Sequence, residues 1–474
     1  MGDIRSKSSW DILLRLDSQQ GGSLHDRLRR ALRAAITAGL IPAASALPPS
    51  RVLAADLGCS RWVVTEAYAQ LVAEGYLESR VGSATRVRAG AAAAPPAPPA
   101  ARSTPPVFDL APGLPDLRAF PRRRWSEAVH QAGLQAAYGE FGYPDQAGHP
   151  RLRSTLAEYL TRSRGADLDP AQLTICAGIS TGALRIARAL RAAGHSHIAV
   201  EDPGWPRLRQ VMAQAGLSTL PVPVDEGGLR VDILRRHPLA RAVLLAPAHQ
   251  FPTGSVLSQQ RRQELIAWAE GADGLILEDD YDAEFRYDRP PVGTLQGAAP
   301  SRVALLGSLS KTLSPALRIG WFTTPPGWTA AVPAVNPLAS PPPVLDQLAF
   351  AGFLEAGGYD RHLRASRRRY RRRRDALIAA LAARLPTARV SGAAAGLHLL
   401  LHLADGDAAE VRAAAALRGV RVADLASYQV RPQGVERTLI LGYGNLADTS
   451  VEEAVARLAE AIEACGAGPA ARLG

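Results

Sequence analysis

Apolar residues recur at helical spacing soon after the start of the chain, with polar residues between them. The apolar positions on one face are Leu24, Leu28, Leu32 and Ile36. Such a repeat predicts an amphipathic helix with one buried stripe. Ser23 is expected to cap its start, because a serine hydroxyl can accept from a free backbone N–H, and Gly39 is expected to end it.

Two shorter segments continue this spacing. Ser50 is expected to cap a short helix, Gly58 to make a tight turn, and Ser60 to cap a third helix. This pattern predicts a helix-turn-helix, and the alternative is a structural three-helix unit with surface arginines. Residues 76–87 alternate around Gly82 and predict a two-stranded wing. The residues expected to be buried are Leu53, Leu57, Val64, Ala67, Tyr68 and Leu71.

The start of the second helix of such a motif faces the major groove of DNA. Arg61 lies there and can bond a guanine bidentately or clamp a phosphate, whereas Arg51 opens the preceding helix and can reach the DNA backbone. The candidate DNA-binding residues are Arg51, Ser60, Arg61, Trp62, Thr65, Ser83 and Thr85.

From Ala89 to Pro106 the chain reads AGAAAAPPAPPAARSTPP. Proline favours extended polyproline II and removes backbone donors, so this stretch is predicted to be a semi-rigid linker. The expected domains are an N-terminal arm (1–22), a winged helix-turn-helix domain of α+β class (23–88), the linker (89–107) and a larger domain (108–474).

Beyond the linker, apolar strand-like runs alternate with amphipathic helical stretches. Nearly all-apolar strands are expected where helices cover both faces of a sheet, so the pattern predicts an α/β domain with a mainly parallel sheet and a small C-terminal α/β subdomain. The predicted strands are Leu173–Cys176, His197–Glu201, Ala242–Ala246, Gly274–Glu278, Val303–Gly307 and Ile319–Thr323. The predicted helices include Thr181–Ala193, Pro206–Ala215 and Gln259–Glu270.

Charge adds one hint about partners. The 474-residue chain carries a formal net charge of +11, which suits an anionic partner such as nucleic acid or reflects a high arginine background. Its three cysteines are widely separated, and its start lacks the apolar core of a signal peptide. These features favour a cytoplasmic protein without disulfides, a membrane span or a cysteine-based metal site.

The richest chemical signal is GSLSKTLSPALRIGW, which follows an apolar strand. A lysine in a Ser/Thr-rich loop with an arginine soon after it suits a phosphate-bearing aldehyde cofactor. Lys311 is expected to form the Schiff base, and Ser308 and Arg318 to hold the phosphate. The alternative for any single lysine is a solvated surface charge.

Three upstream segments complete this expected site. Asp279 follows the C-terminal end of a predicted strand, where it could keep a pyridinium nitrogen protonated, and Tyr281 could hydrogen-bond the ring 3-oxygen. The acidic cluster lacks nearby His or Cys ligands, which disfavours a metal site. Ser180 and Thr181 are expected at a helix N-terminus, where backbone amides bind phosphate. Trp205 could stack on a flat ring or simply pack in the core.

Two families share these strings. Residues 47–77 resemble the winged helix of GntR-type regulators, and the cofactor residues resemble fold-type-I pyridoxal-phosphate enzymes of the aspartate aminotransferase superfamily. The whole chain resembles the MocR subfamily of GntR regulators. The strings that carry this resemblance are FDLAPGLPDLRAFPRRRW, EDPGW, APAHQFPTG, EDDYDAEFRY and SLSKTLSPALRIGW.

The resemblance implies pyridoxal 5'-phosphate as the cofactor. It matches Arg437 to the arginine that binds a substrate carboxylate, with Arg431 and Arg207 as further candidates for the effector. Phe251 stands where the enzymes have an asparagine that tunes the ring oxygen, and His249 is expected to take part of its role. At most partial transaminase chemistry is therefore expected.

The run from Arg367 to Arg374 lies on a predicted long helix. A continuous run covers every face of a helix, so a solvated or interdomain helix is favoured over a second DNA site.

The favoured interpretation is a homodimeric transcriptional regulator that binds operator DNA and senses pyridoxal phosphate, or an amine or amino acid bound through it. The first alternative is a working aminotransferase with an accessory helix-turn-helix domain. The second is an architectural DNA binder with an inactive enzyme domain, which the complete cofactor set disfavours.

Overall fold

The structure, a computed structural model, describes residues 22–79, 84–88, 107–288, 292–336, 339–392, 394–432 and 434–466. The chain divides into two units, Met1–Thr104 and Pro105–Gly474. Each unit has hydrophobic core clusters of its own. Nearly all of the predicted N-terminal arm and of the predicted linker lies outside the described residues, so their boundaries stay predictions.

In the described residues of the smaller unit, three helices are followed by a short antiparallel strand pair. Its elements are α1 (Leu24–Thr37), α2 (Ser50–Asp56), α3 (Arg61–Ala73), β1 (Leu77–Glu78) and β2 (Arg86–Val87), and the two strands pair antiparallel. The hydroxyl of Ser23 accepts from the backbone N–H of Asp26 at 3.4 Å, and that of Ser60 accepts from Val63 at 3.5 Å. The predicted helix-turn-helix and wing are therefore confirmed.

Two details of this unit differ from the prediction. Ser50 is the first residue of α2 and does not cap it, because Pro49, with φ of −55°, takes the capping position and the Ser50 hydroxyl accepts from Arg61 Nε at 3.3 Å. Leu24 is exposed in the first turn of α1, and Leu57 at the end of α2 is only half-buried. Leu24 lies at a helix end outside the small core, whereas Leu57 packs against the edge of that core.

The larger unit alternates strands and helices, as predicted. Its helices are α4 (Arg122–Gln135), α5 (Pro150–Arg164), α6 (Ile179–Ala192), α7 (Pro206–Gln214), α8 (Val231–Leu234), α9 (Gln259–Gly271), α10 (Leu295–Ala298), α11 (Ala331–Ala334), α12 (Val344–Glu355), α13 (Gly358–Arg384), α14 (Ala408–Leu417) and α15 (Val451–Gly466). Its strands are β3 (Phe108–Asp109), β4 (Leu173–Cys176), β5 (His197–Asp202), β6 (Ser218–Asp225), β7 (Gly228–Leu229), β8 (Ala240–Leu245), β9 (Leu275–Asp279), β10 (Val303–Ser308), β11 (Gly320–Thr323), β12 (Arg389–Ser391), β13 (His398–His402), β14 (Val420–Arg421), β15 (Ala423–Asp424) and β16 (Thr438–Gly442).

Within the described residues, eight strands form one sheet in the order β4-β11-β10-β9-β8-β5-β6-β7. The neighbours from β10 to β6 pair in parallel, whereas β11 and β7 are antiparallel to their neighbours. Parallel strands end at the same edge of the sheet, so the ends of β9 and β10 lie together. The predicted α/β class with a mainly parallel sheet is confirmed.

The C-terminal part forms a smaller antiparallel sheet in the order β12-β13-β16-β15. In addition, β14 pairs in parallel with β3, and Arg421 makes an ion pair with Asp109 across this pair. The first strand of the unit is thus joined to its last part.

One predicted boundary changes how the site is described. Helix α6 begins at Ile179, with Gly178 as its N-cap at φ of 96°. Ser180 and Thr181 consequently lie inside the first turn of the helix and not before it. Only glycine adopts such a φ readily, which lets the chain turn sharply from β4 into α6.

A buried ion pair fixes the end of β9. Arg164, the last residue of α5, donates to both carboxylate oxygens of Asp280 at 2.9 and 2.8 Å and to the Val292 carbonyl at 2.8 Å. The preceding acid, Glu278, accepts from the backbone N–H groups of Leu295 and Gln296 at 3.0 and 2.9 Å. Side chains alternate along a strand, so Asp279 faces away from both partners.

The arginine run on α13 is partly structural. Arg373 is buried and donates to Asp116 and Asp448 at 2.9 and 2.7 Å and to the carbonyls of Tyr443 and Gly444. Arg368, Arg371 and Arg372 are exposed. Arg373 therefore joins neighbouring segments of the larger unit, and the choice of a solvated or interdomain helix over a second DNA site stays a prediction.

No helix among the described residues is long and apolar enough to cross a membrane.

Removal of Arg164 should destabilise the protein strongly. Arg164→Leu leaves the Asp280 carboxylate buried without its partner, which costs about 3–5 kcal/mol of unfolding free energy. Arg162→Leu is the matched control, because the side chain of Arg162 is 66% exposed in its pair with Asp360, and such a pair contributes less than about 1 kcal/mol. Urea unfolding of the full chain measures both, and equal losses would contradict a structural role for the buried pair.

Candidate functional site

A cavity of about 390 Å³ opens at the edge where β9 and β10 end. Its wall is built from separate parts of the larger unit: the end of β9, the loop after β10, the start of α6, the turn before α7, residues 112–114 and the start of β13. Eight of the predicted site residues lie on this wall, and they are Ser180, Trp205, Arg207, Asp279, Tyr281, Ser308, Lys311 and Arg318.

Lys311 projects from the loop that follows β10. Its ammonium group donates to the carbonyl oxygen of Gly113. Burial lowers the pKa of Lys311, and the charges of Asp279 and Asp282 oppose this shift. A lowered pKa leaves more of the amine unprotonated and therefore nucleophilic.

Asp279 is buried at the end of β9, and its Oδ1 has no hydrogen-bond partner among the described residues. Burial raises the pKa of Asp279 to about 8, with a further rise from Asp280 and Asp282 and an opposing effect of Lys311. An unsatisfied buried carboxyl is costly. A ring N–H placed in the cavity would supply the missing donor.

Cationic and hydroxyl groups converge at another part of the wall. Arg318 has a left-handed φ of 52° and donates from Nη2 to the Ala177 carbonyl at 2.6 Å. A Cβ on Gly178 would lie 3.7 Å from this guanidinium, which is an ordinary contact distance, so the glycine is required by its φ and not by the arginine. Ser180, in the first turn of α6, and Ser308 complete the group. A helix N-terminus, an arginine and two hydroxyls fit a phosphate.

Aromatic residues form the remaining wall. Trp205 is half-buried at the N-cap of α7. The ring of Phe251 is edge-on to those of Tyr281, His398 and Tyr428, with centroid distances of 6.2, 5.1 and 5.1 Å. Arg209 holds the Trp205 turn to the Tyr428 segment by donating to the carbonyls of Gly204 and Tyr428 at 2.8 and 2.7 Å.

Several predicted residues do not reach the wall. The Thr181 hydroxyl is 3.5 Å from the Ala177 carbonyl, and His249 lies behind Tyr281, with Nδ1 at 3.0 Å from its hydroxyl. Arg437 donates to the Ala404 carbonyl and precedes Thr438, which pairs with His402 at the end of β13 opposite to the wall residue His398. Arg431 is exposed and is likewise absent from the described wall.

Other wall residues were not predicted from the sequence. Gly113, Leu397, His398 and Tyr428 reach the cavity from distant parts of the chain. Gly113 lies in the string FDLAPGLPDLRAFPRRRW, which carried the resemblance, and this was the one available signal. His398 and Tyr428 have no local pattern that distinguishes them from packing residues.

The helix-turn-helix presents its own candidate surface. Arg51, Ser60, Arg61 and Thr65 are exposed on α2 and at the start of α3, and Trp62 is 62% exposed and edge-on to His25. Thr85 is half-buried beside β2, and Ser83 lies outside the described residues. The opposite side of α3 is buried in the core through Val63, Val64, Ala67, Tyr68 and Leu71.

The chain matches two family models. Residues 106–458 match the aminotransferase class I and II family, and residues 24–87 match the gntR family of bacterial regulatory proteins. The aminotransferase domain implies pyridoxal phosphate, and the cavity fits this cofactor through Lys311, the unpaired Asp279 carboxyl and the Arg318 cluster.

Curated relatives cover most of the chain. The chain is 32% identical to the HTH-type pyridoxine biosynthesis transcriptional regulator PdxR of Corynebacterium glutamicum, over 95% of this chain and 99% of the relative. It is 35% identical to the probable rhizopine catabolism regulatory protein MocR of Rhizobium meliloti, over 77% and 79%.

Solved structures of aminotransferases share the fold of the larger unit. The multiple substrate aminotransferase of Thermococcus profundus has a TM-score of 0.69 at 25% identity, and the kynurenine aminotransferase of Pyrococcus horikoshii has 0.68 at 24%. Each alignment covers 76% of this chain and 92% of the other.

The raised pKa of Asp279 predicts a stability that depends on pH. Without cofactor, the folded protein keeps the Asp279 proton up to about pH 8, whereas the unfolded chain releases it near 3.8. As the pH rises between these two values, the free energy of unfolding of the wild type should fall relative to that of Asp279→Asn. The fall is at most about 1.4 kcal/mol per pH unit. Thermal melting of cofactor-free protein across this range measures the effect. Asp405→Asn, at an exposed position, is the control, and a constant gap between wild type and Asp279→Asn would contradict the prediction.

The exposed start of α3 predicts a sequence-reading role for Arg61. Arg61→Ala should lose about 1–3 kcal/mol on DNA selected by the wild-type protein and relax the preference at one position of each half-site. Arg51→Ala should weaken binding to all sequences alike and flatten the salt slope by about 1 per lost phosphate contact. Salt-titrated binding to selected and scrambled DNA tests both variants. Unchanged discrimination in Arg61→Ala would mean that α3 reads DNA through other residues.

Proposed function

Because this chain belongs to the MocR subfamily of GntR-type transcriptional regulators, we propose that it senses pyridoxal phosphate, or an amine or amino acid that reacts with it, at Lys311. The chain is a transcriptional regulator with a GntR DNA-binding domain and an aminotransferase-like domain. The proposal concerns what the second domain detects. We also propose that the protein works in the cytoplasm, on operator DNA.

One observation carries the proposal. Lys311, Asp279 and the group formed by Arg318, Ser180 and Ser308 line a single cavity. When bound, pyridoxal phosphate supplies an aldehyde that joins reversibly to an amine and a ring that withdraws electrons. Lys311 would hold the aldehyde, and Asp279 would hold the proton of the ring nitrogen. Ser180, Ser308 and Arg318 would hold the phosphate, and Trp205 would cover a ring face.

The wall also suggests the effector class. Arg207 lies on the wall, is exposed, and makes no hydrogen bond or ion pair within the described part of the chain. A cation near Lys311 suits an amine that also carries a carboxylate or another acidic group. We therefore propose such an amine, or the cofactor itself, as the signal.

Turnover is expected to be slow or absent, because Phe251 offers the ring oxygen no hydrogen bond. The second candidate, an active aminotransferase with an accessory DNA-binding domain, is favoured by the complete set of Lys311, Asp279, Tyr281 and Arg318. Formation of a keto acid from an amino acid over many turnovers would support it.

A homodimer is also proposed. Leu134, Tyr138, Phe141 and Tyr143 are all exposed within one short segment at and after the end of α4. A group of exposed large apolar side chains commonly marks a protein contact. A second copy of the chain is the partner that symmetric regulator sites on DNA would require.

Cofactor attachment can be tested with a control that the chain itself provides, since it contains only two lysines, Lys7 and Lys311. Protein loaded with pyridoxal phosphate should absorb visible light and, after borohydride reduction, carry the label on Lys311. Lys7→Arg should keep the absorption and Lys311→Ala should lose it. Lys311→Ala should still bind DNA through the winged helix, but without a change on addition of cofactor or effector. A label elsewhere, or a full response in Lys311→Ala, would overturn the proposal.

A further inference from the structure

Tyr281, on the cavity wall, contacts a buried histidine–aspartate pair. His249 follows β8, and its Nδ1 lies 2.9 and 3.1 Å from the two carboxylate oxygens of Asp282 and 3.0 Å from the Tyr281 hydroxyl. The side chains of His249 and Asp282 are only 3% and 1% exposed. One ring nitrogen is thus shared between an acid and a phenol.

We propose that Asp282 is a positioning residue that, through His249, turns the hydroxyl proton of Tyr281 into the cavity. This inference rests on the proposed function, in which the ring oxygen of pyridoxal phosphate receives that proton. It assigns a role to an acid that the cofactor chemistry does not otherwise use, and it explains how a site with Phe251 can still hold the ring oxygen.

The argument follows from the donors and acceptors. An ionised carboxylate only accepts hydrogen bonds, so its contact with Nδ1 places a proton on that nitrogen. A protonated Nδ1 cannot accept from Tyr281 and can only donate to its oxygen. The phenol proton is then free to point away from the histidine, toward the cavity that Tyr281 lines.

Packing keeps the pair in this arrangement. Gly396 has a φ of +72°, and a Cβ there would lie 2.1 Å from His249 Cε1 and 2.7 Å from Asp282 Oδ2. The Gly396 carbonyl accepts from the hydroxyls of Tyr443 and Tyr287 at 2.8 and 2.5 Å. The glycine is therefore held closely against the pair, and the histidine ring has no room to turn away on that side.

Other titratable groups surround the three residues. Asp279 and Glu201 act on Tyr281 from the ends of β9 and β5, Lys311 lies across the cavity, and Tyr287 and Tyr443 also lie near Asp282. Burial, and next the charge of Asp282, raise the pKa of Tyr281 well above its usual value, so the phenol keeps its proton. Asp282 also acts on the phenol as a hydrogen-bond acceptor, and in the wild type His249 lies between the two groups.

His398, the remaining neighbour, adds no competing charge. Burial lowers its pKa to about 4, so it is neutral near pH 7. Its Nε2 lies 2.9 Å from the Pro252 carbonyl, to which it donates.

Asp282→Asn tests the inference by the sign of a spectral shift. Asparagine can donate to Nδ1, which moves the histidine proton to Nε2 and makes Nδ1 an acceptor for the Tyr281 proton. The ring oxygen of the bound cofactor then loses the hydrogen bond from Tyr281. That hydrogen bond favours the deprotonated form of the cofactor, which is the form present at high pH. The pH midpoint of the visible absorption should rise by about 1 unit. Loss of the Asp282 charge alone would lower the midpoint, because a nearby anion favours the protonated form.

Two further variants make the reading specific. Glu284→Gln removes a buried acid of the same loop that makes no hydrogen bond to His249 or Tyr281 within the described residues, and it should not raise the midpoint. In a Tyr281→Phe background, Asp282→Asn should have no additional upward effect, because the proton it redirects is absent. A fall or no change in Asp282→Asn, or an undiminished rise in the Tyr281→Phe background, overturns the inference.

A cofactor-free measurement separates this inference from the proposed function. In ¹⁵N-histidine-labelled protein, the His249 signals, assigned by their absence in His249→Leu, should report a protonated Nδ1 in the wild type and an unprotonated Nδ1 in Asp282→Asn. An unprotonated Nδ1 in the wild type overturns the inference, even if the cofactor binds. Absence of a visible band in the wild type overturns the proposed function, and the histidine signals still decide the role of Asp282.

His249→Leu covers the case in which Asp282→Asn does not fold. In this variant Asp282 becomes the acceptor for the Tyr281 hydroxyl, which then donates to Asp282 and no longer to the ring oxygen. The pH midpoint of the visible absorption should therefore rise again. A fall in this variant counts against the inference.

Discussion

The alternation of side chains at the end of β9 decides how the larger unit builds its cavity. Glu278 and Asp280 fall on one side of the strand, where backbone N–H groups and Arg164 satisfy them. Asp279 falls on the other side and is buried, and no described residue offers its Oδ1 a hydrogen bond. A lone carboxyl in this position costs free energy that the paired neighbours offset by fixing the strand end. The arrangement gains stability only when a donor enters the cavity.

Two other residues of the cavity wall also carry an unfavourable free energy in the folded chain. Arg318 is held at a left-handed φ of 52°, which costs a non-glycine residue on the order of 1 kcal/mol or more. Lys311 is buried enough for its pKa to be lowered. The unpaired Asp279 oxygen and the buried Lys311 amine disfavour the folded chain alone and favour the chain with a ligand that satisfies them, whereas the φ of Arg318 is a fixed cost of placing its guanidinium at the cavity. Ligand binding at such a site should raise the free energy of unfolding, because the ligand satisfies polar groups that are buried without partners in the folded chain alone.

Local patterns predicted most of the fold and about half of the cavity wall. Apolar runs placed β4, β5 and β8 to β11 within one or two residues, and the end of an apolar run followed by Asp279 or Lys311 located the two central groups. The sequence could not give contacts between distant segments: Gly113, His398 and Tyr428 reach the wall through strand pairing and loop packing that no local spacing encodes. Arg437 illustrates the limit, since the antiparallel register of β13 and β16 puts it at the end away from His398. The Ser50 cap failed for a local reason, because Pro49 occupies the capping position.

Lys311, Asp279 and Arg318 fit the binding of a cofactor. Phe251, which replaces the asparagine of the enzymes in the resemblance, concerns catalysis instead. A catalyst must stabilise a transition state more than the ground state, so it depends on groups that tune the reacting ring. A regulator needs only a ligand whose affinity differs between two arrangements of the protein. Lys311, Asp279 and Arg318 suffice to bind a ligand in the cavity. Residues 112–114 of the same wall lie close in sequence to β3, near the start of the larger unit. Phe251 removes a tuning group without removing a holding group. On the proposed function, this substitution sacrifices turnover while leaving binding, which is the property that a sensor requires.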